Sequence, residues 1–241
     1  MTDTPTVSVI IPVHNGAAYL AEAIESALAQ THPIHELIVV DDGSSDDSAA
    51  IAASYGPPAR VVATAHVGAS GARNHGADLA TGEWLAFLDA DDLWLPEKTA
   101  QQLAAATAAG VPIAFGDVAH FHSPELDADA RRQIYCPPTL EHGPMLSNFF
   151  VRRETFTALG GFDPRWQLGE LFDWYTRATD AGYRAVTIPE LVVRRRVHTA
   201  NHSLTAATQR VDFARIAKQA LDRRRRLGLL PAREQIGGQA R

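Results

Sequence analysis

At 241 residues, with 46% apolar and 21% charged side chains, the chain has the composition of a soluble globular protein of one sizeable domain, long enough to bury a large core. Its single cysteine, Cys136, excludes an internal disulfide and a cysteine metal cluster; with no basic, apolar leader and no membrane-length run, neither a signal peptide nor a spanning helix is expected, and a cytoplasmic location is. The net charge of −6 is uneven: from Arg194 onward 12 Arg and Lys face 3 Asp and Glu, so this end carries +9 and the remainder −15, which fits the former for an anionic partner or membrane surface and the latter for a cation.

The β-branched run Val7–Val13 predicts a buried strand, with Pro12 near its end, where a lost ladder donor matters least. His14-Asn15-Gly16 predicts a turn, and Tyr19, Leu20, Ala23, Ile24, Ala27 and Leu28 recur at helical spacing. Glu36–Val40 predicts a second strand, ending in Asp41-Asp42-Gly43-Ser44; Ser45 or Asp46 then caps a helix running to Tyr55. Arg60–Ala65 reads as a third strand, Gly68–Asn74 opens a helix closed by Thr81-Gly82, and Trp84–Leu88 is a fourth strand. Strands alternating with helices predict a mostly parallel α/β sheet. Asn15, Asp42, Asp89 and Asp91 each follow a strand's C-terminal end, where open α/β sheets form their ligand crevice.

Three acids within four residues at Asp89-Ala90-Asp91-Asp92 repel one another unless a cation intervenes. A hard divalent ion bridging Asp89-x-Asp91 to a substrate diphosphate is the economical partner; an acidic helix-capping turn is the plain alternative. Neither G-x-G-x-x-G nor the P-loop pattern is present, and no nucleic-acid partner is expected. A nucleotidyltransferase would want a glycine-rich loop with a basic residue after the first strand, which is missing.

The segments Val7-Ser-Val-Ile-Ile-Pro-Val-His-Asn-Gly16, Leu37-Ile-Val-Val-Asp-Asp-Gly-Ser-Ser-Asp46, Gly71-Ala-Arg-Asn-His-Gly76 and Gly82-Glu-Trp-Leu-Ala-Phe-Leu-Asp-Ala-Asp-Asp92 together resemble family 2 glycosyltransferases of the GT-A fold. The similarity is dense from Val7 to Pro96 and returns at Gly160–Asp163 and Gly169–Arg177. It implies a Rossmann-like sheet flanked by helices: residues 1–96 as the nucleotide-sugar half, 97–203 as the acceptor and catalytic half, and 204–241 as a C-terminal helix and basic tail. It implies inverting transfer from a nucleotide sugar, UDP-linked in preference, to a hydroxyl of a saccharide, lipid-linked, peptide or small-molecule acceptor, assisted by Mn²⁺ or Mg²⁺. Pro12, Val13 and Asn15 with Asp42 would hold the nucleobase end, Arg73 would approach the nucleotide or its diphosphate, and Asp89 and Ala90 would lie on the ribose or donor sugar. Asp91 would ligate the metal, and His198, in Arg196-Val-His198-x-x-Asn201, would complete its shell.

The remaining elements are less regular. Gln101–Ala109 completes a helix, Ile113–Asp117 predicts a strand, and His120, Phe121 and His122 after it are candidates for the sugar pocket. Ser123–Pro144 reads as a long loop. Glu170 and Asp173 share a helix face, with Leu171, Trp174 and Tyr175 buried behind. The family pattern, Glu-Asp-x-Asp before an aromatic and an Arg, places Leu171 where the base usually stands. Glu170 is expected to take that role from the adjacent position, with Asp173 as the alternative; an inactive nucleotide-sugar-binding protein is the second functional reading. Thr187-Ile188 leads to a strand over Val192–His198, and Asn201-His-Ser203 matches a glycosylation sequon. Val211, Ala214, Ala217 or Lys218, and Leu221 form the stripe of an amphipathic helix followed by Arg223–Arg226, either solvated or docked on an anionic membrane; Gly237–Arg241 is expected to be disordered.

Overall fold

The computed structural model describes residues 4–166, 168–201 and 209–229. The sequon residues His202 and Ser203 and the end from Gly237 to Arg241 lie outside the described residues. The described chain forms one mixed α/β sheet flanked by helices. In chain order the strands are β1 (Val7–Val13), β2 (Glu36–Asp41), β3 (Ala59–Ala63), β4 (Trp84–Phe87), β5 (Leu93–Trp94), β6 (Ile113–His122), β7 (Phe150–Arg152) and β8 (Ala185–Val197). The helices are α1 (Leu20–Leu28), α2 (Ser48–Ala53), α3 (Gly68–Leu79), α4 (Lys98–Ala109), α5 (Ala128–Gln133), α6 (Arg153–Ala158), α7 (Glu170–Asp180) and α8 (Gln209–Arg226). A 3₁₀ turn covers Leu146–Asn148.

The spatial order is β3-β2-β1-β4-β7-β6-β8-β5, and the first four strands pair in parallel. A parallel sheet must be covered on both faces, which is why β1 and β2 are mostly apolar rather than alternating. Val7, Val9, Ile11 and Val13 of β1 face one core with Leu20, Ala23, Ile24 and Ala27 of α1. Ile10 joins the opposite core with Ile38, Val40, Ala72 and Ala77. The approach of α3 is so close that a Cβ on Gly76 would lie 2.6 Å from Ile10 Cγ2, so only glycine fits there.

Past β4 the sheet departs from simple alternation. β7 inserts antiparallel between β4 and β6, and its three residues carry Phe150 and Val151 into the two cores. β8 is one continuous strand rather than two pieces. The β6–β8 register shifts around Asp117, between the Phe115–Thr187 and Asp117–Leu191 pairs, and Pro189 lies in that interval, where no ladder donor is required. Ser123–Pro144 is not wholly loop: it contains α5 and an antiparallel bridge between Val118 and Glu141.

At the lower end of the sheet, Glu36 joins three segments. Its Oε1 accepts from Ser8 Oγ (2.8 Å), Thr81 N (2.7 Å) and Thr81 Oγ1 (2.7 Å), and its Oε2 from Arg60 Nη2 (3.2 Å). Burial alone would raise this carboxyl, but the bonds from Thr81, Ser8 and Arg60 outweigh it and bring the pKa to about 2. A depressed folded-state value contributes stability above the unfolded pKa that is lost as pH falls towards the folded one. Glu36→Gln is therefore expected to cost about 1–2 kcal/mol at neutral pH, discounted for the half-exposed Arg60, with the difference from wild type closing between about pH 4.5 and pH 2 in denaturant melts. A pH-independent difference would contradict the assignment.

The C-terminal helix docks on α7, rotated from the expected stripe. Ile216 and Ala220 are buried, whereas Ala214, Lys218 and Leu221 are exposed. Two contacts fix the rotation. Ile216 Cδ1 would lie 2.9 Å from a Cβ on Gly169, and Arg223 and Arg224 both reach Asp180, at 2.6 Å each. Half of the basic run is thus an ion-pair clamp rather than a free cationic end.

Candidate active site

The C-terminal ends of β1, β2 and β4 converge on a cleft of about 590 Å³. Pro12, Val13, Asn15, Asp42, Arg73, Asp89, Ala90, Asp91, Glu170 and His198 all line it, together with Tyr19, Asp92, Ser147, Arg195 and Asn201. Asp173 does not. It binds Arg177 Nε at 2.9 Å and lines a separate depression of about 420 Å³ with Asp163, Arg165 and Arg223. His120 and His122 also stay out of the cleft: His120 pairs with Glu141 at 3.3 Å and His122 Nε2 lies 3.0 Å from Ile134 O.

At one end of the cleft, Asp42 follows β2. Burial pulls its carboxyl upward, but bonds from Thr64 Oγ1 (2.7 Å), Val67 N (2.6 Å) and Gly68 N (2.8 Å) outweigh that and hold it below the ordinary carboxylate range. Asp42 thus anchors the start of α3 as well as facing the cleft. Asn15, at φ +54°, latches the neighbouring loops: its N–H donates to Ser44 Oγ at 2.9 Å and its Oδ1 accepts from Ser45 N at 2.8 Å.

At the floor, Asp89, Asp91 and Asp92 each present a carboxylate oxygen within 4.8 Å of the others. Asp92, which the sequence reading leaves without a role, is 2% exposed. Its Oδ2 accepts from Ser147 Oγ (2.6 Å) and its Oδ1 from Arg196 N (3.0 Å). Burial pushes this carboxyl well above the ordinary range, and the Asp91 and Asp89 charges push the same way. Three crowded hard-oxygen donors are a set that a divalent cation relieves, so Mn²⁺ or Mg²⁺ fits the chemistry of this corner.

His198 Nε2 lies 2.9 Å from Asp91 Oδ2, and Nδ1 of the same ring accepts from Ala200 N at 3.3 Å. With Nδ1 accepting, Nε2 is the ring nitrogen turned towards Asp91. Asn201 Nδ2 lies 2.9 Å from the same oxygen, so His198 and Asn201 converge on Asp91. Arg196, 2% exposed, braces the corner from behind. Its Nε donates to Asp91 O at 3.1 Å and its Nη2 to Glu22 Oε2 at 2.9 Å, while the guanidinium lies between the Tyr19 and Phe121 rings at 4.8 and 4.9 Å.

On the opposite wall, Glu170 is the first residue of α7, set by Gly169 at φ +84°, and is 2% exposed. Leu171 packs into the core with Phe149, Phe156 and Trp174, so the position the resemblance pairs with the base points away from the cleft and Glu170 points into it. Arg73 links the two sides of the cleft: its Nη1 donates to Glu170 Oε1 at 2.8 Å and its Nη2 to Asp89 Oδ1 at 2.6 Å.

The profile for glycosyl transferase family 2 matches residues 8–167. The chain belongs to this family. An uncharacterized glycosyltransferase of Nostoc sp. (strain PCC 7120) is 33% identical over 223 residues, 84% of this chain and 68% of the relative. One of Rickettsia typhi is 46% identical over 102 residues, 42% of this chain and 32% of the relative. The chain therefore spans about a third of that relative's length. Among solved structures, residues 1–349 of S. aureus TarS in complex with UDP-GlcNAc superpose with a TM-score of 0.70 at 18% identity, covering 89% of this chain and 65% of that one. The Pyrobaculum calidifontis mannosyltransferase PcManGT, in complex with GDP-Man and Mn²⁺, gives 0.66 at 24% identity, covering 93% and 65%. These likenesses establish the GT-A fold. Among its described residues no helix is long and apolar enough to cross a membrane.

Proposed function

We propose that this glycosyltransferase moves a sugar from a nucleoside diphosphate sugar, with a UDP-sugar favoured, to an acceptor hydroxyl with inversion at the anomeric carbon. The observation that carries the reading is one cleft with the acidic corner on its floor and the buried carboxylate of Glu170 on its opposite wall. Asp42 would accept an N–H from the base edge, which favours uracil; guanine also offers such a donor, so a GDP-sugar is the competing substrate. Asp91, oriented by His198 and Asn201, would hold Mn²⁺ or Mg²⁺ with Asp89 and Asp92 beside it. Bound there, the ion would offset the charge that grows on the departing diphosphate.

The work left to the chain's own groups is positioning and proton transfer. Glu170 takes the acceptor's hydroxyl proton as that oxygen bonds to the anomeric carbon and the bond to the diphosphate breaks. The displacement passes through an oxocarbenium-like state, the charge development glycosidases share. Purified protein with Mn²⁺ and a panel of nucleotide sugars is expected to release free nucleotide slowly from one donor through transfer to water, and EDTA is expected to stop it. Tight donor binding with no nucleotide release across the panel, with or without added acceptors, would support the inactive binding protein instead.

A further inference from the structure

We propose that Arg73 is a positioning residue for the transfer: it holds Glu170 as an aimed carboxylate and ties it to Asp89 on the donor side of the cleft. The proposal rests on Glu170 being the base. Three elements meet at this guanidinium: α3 supplies Arg73, the end of β4 supplies Asp89, and the first residue of α7 supplies Glu170. Arg73 is itself fixed, because Ala72, Gly76 and Ala77 seat α3 on the sheet. Its side chain is 6% exposed and Glu170's is 3%, so the pair at 2.8 Å is nearly dry, while Asp89, at 31%, is the partner that still meets the cleft.

Removing the guanidinium would take away the rigid fork that fixes where the Glu170 carboxylate points relative to Asp89. Arg73 Nε–H is buried and has no acceptor among the described residues, so the terminal nitrogens and their two carboxylates set the guanidinium's orientation. Lysine keeps the charge but cannot span both partners with a rigid fork.

The test compares R73K, E170Q, R73K/E170Q and R73M/E170Q by calorimetric binding of UDP with Mn²⁺, by kcat for transfer, and by thermal midpoint. R73K is expected to bind UDP within about threefold of wild type and to lose at least about tenfold in kcat, the cost of misplacing a reacting group. Because the effect passes through Glu170, R73K/E170Q and R73M/E170Q are expected to match E170Q in kcat within about twofold, a non-additivity that an independent structural role would not produce. R73M/E170Q removes both buried charges together, so it remains informative if R73K does not fold. Double variants slower than E170Q by about the R73K factor, or a loss confined to UDP affinity at unchanged kcat, would overturn the proposal. If E170Q alone keeps full transfer, the base reading fails first, and that single variant identifies it.

Discussion

Asp91→Ala is expected to abolish metal-dependent donor binding, weakening UDP affinity in the presence of Mn²⁺ by about 100-fold or more, beyond the 10–100-fold typical of groups that only support a ligand. The argument is one of charge. Asp91 stands between two other carboxylates, and its Oδ2 is fixed by His198 and Asn201, so the floor is a preorganised concentration of negative charge. Taking one acid away relieves repulsion in the metal-free protein while removing the ligand on which the ion depends. Thermal melts separate these effects. The metal-free variant is expected to melt close to wild type, whereas the midpoint rise that Mn²⁺ and UDP give the wild type, worth about 2.7 kcal/mol at a hundred times the Kd, is expected to vanish. UDP affinity that is the same with Mn²⁺ and with EDTA, in wild type as in variant, would refute the metal role. His198→Ala serves as the graded comparison: standing beside Asp91, His198 is expected to contribute to the same binding, so its loss weakens that binding without abolishing it.

Much of this arrangement was legible in the sequence because the signals were local. Val7–Val13 and Glu36–Val40 are strands in almost any context, since each is a mostly apolar, β-branched run closed by turn residues, and a parallel sheet then forces the residues after them onto one edge. Asp89 and Asp91 stood out because three acids in four residues need an explanation. What was not legible depended on partners far away in the chain. Arg73 sits 97 positions from Glu170, and no spacing rule reports that the two meet. Asp92 sat in the same acidic run, but its burial comes from Ser147 and Arg196, which arrive from the 3₁₀ turn and from β8. β7 was hidden because Phe150–Arg152 is too short to show a period and reads as the lead-in to α6. The stripe on α8 was misplaced by one face because the periodicity of a helix rich in alanine and arginine does not fix its rotation, whereas the Asp180 clamp does.

Glu170→Gln is expected to leave donor binding within about threefold and to lower transfer by about 10²–10⁴-fold, the usual contribution of a general base. Glutamine keeps the side chain's size and an oxygen that Arg73 Nη1 can still reach, so the local structure is expected to persist. What it loses is the capacity to take a proton as the acceptor oxygen attacks. The contrasting variant is Asp173→Asn. Asp173 is bound by Arg177, which also donates to the carbonyls of Leu159 and Gly161, so its loss is expected to loosen the Gly160–Asp163 turn and lower the melting midpoint while kcat for the folded fraction stays near wild type. Initial rates with saturating donor, normalised to folded protein by calorimetric UDP binding, distinguish the two carboxylates. A folded Asp173→Asn that binds UDP normally and has lost transfer, beside a Glu170→Gln that retains it, would move the base to Asp173. The catalytic centre would then lie in the depression beside Arg177, and the acidic floor under Glu170 would have to serve donor binding alone.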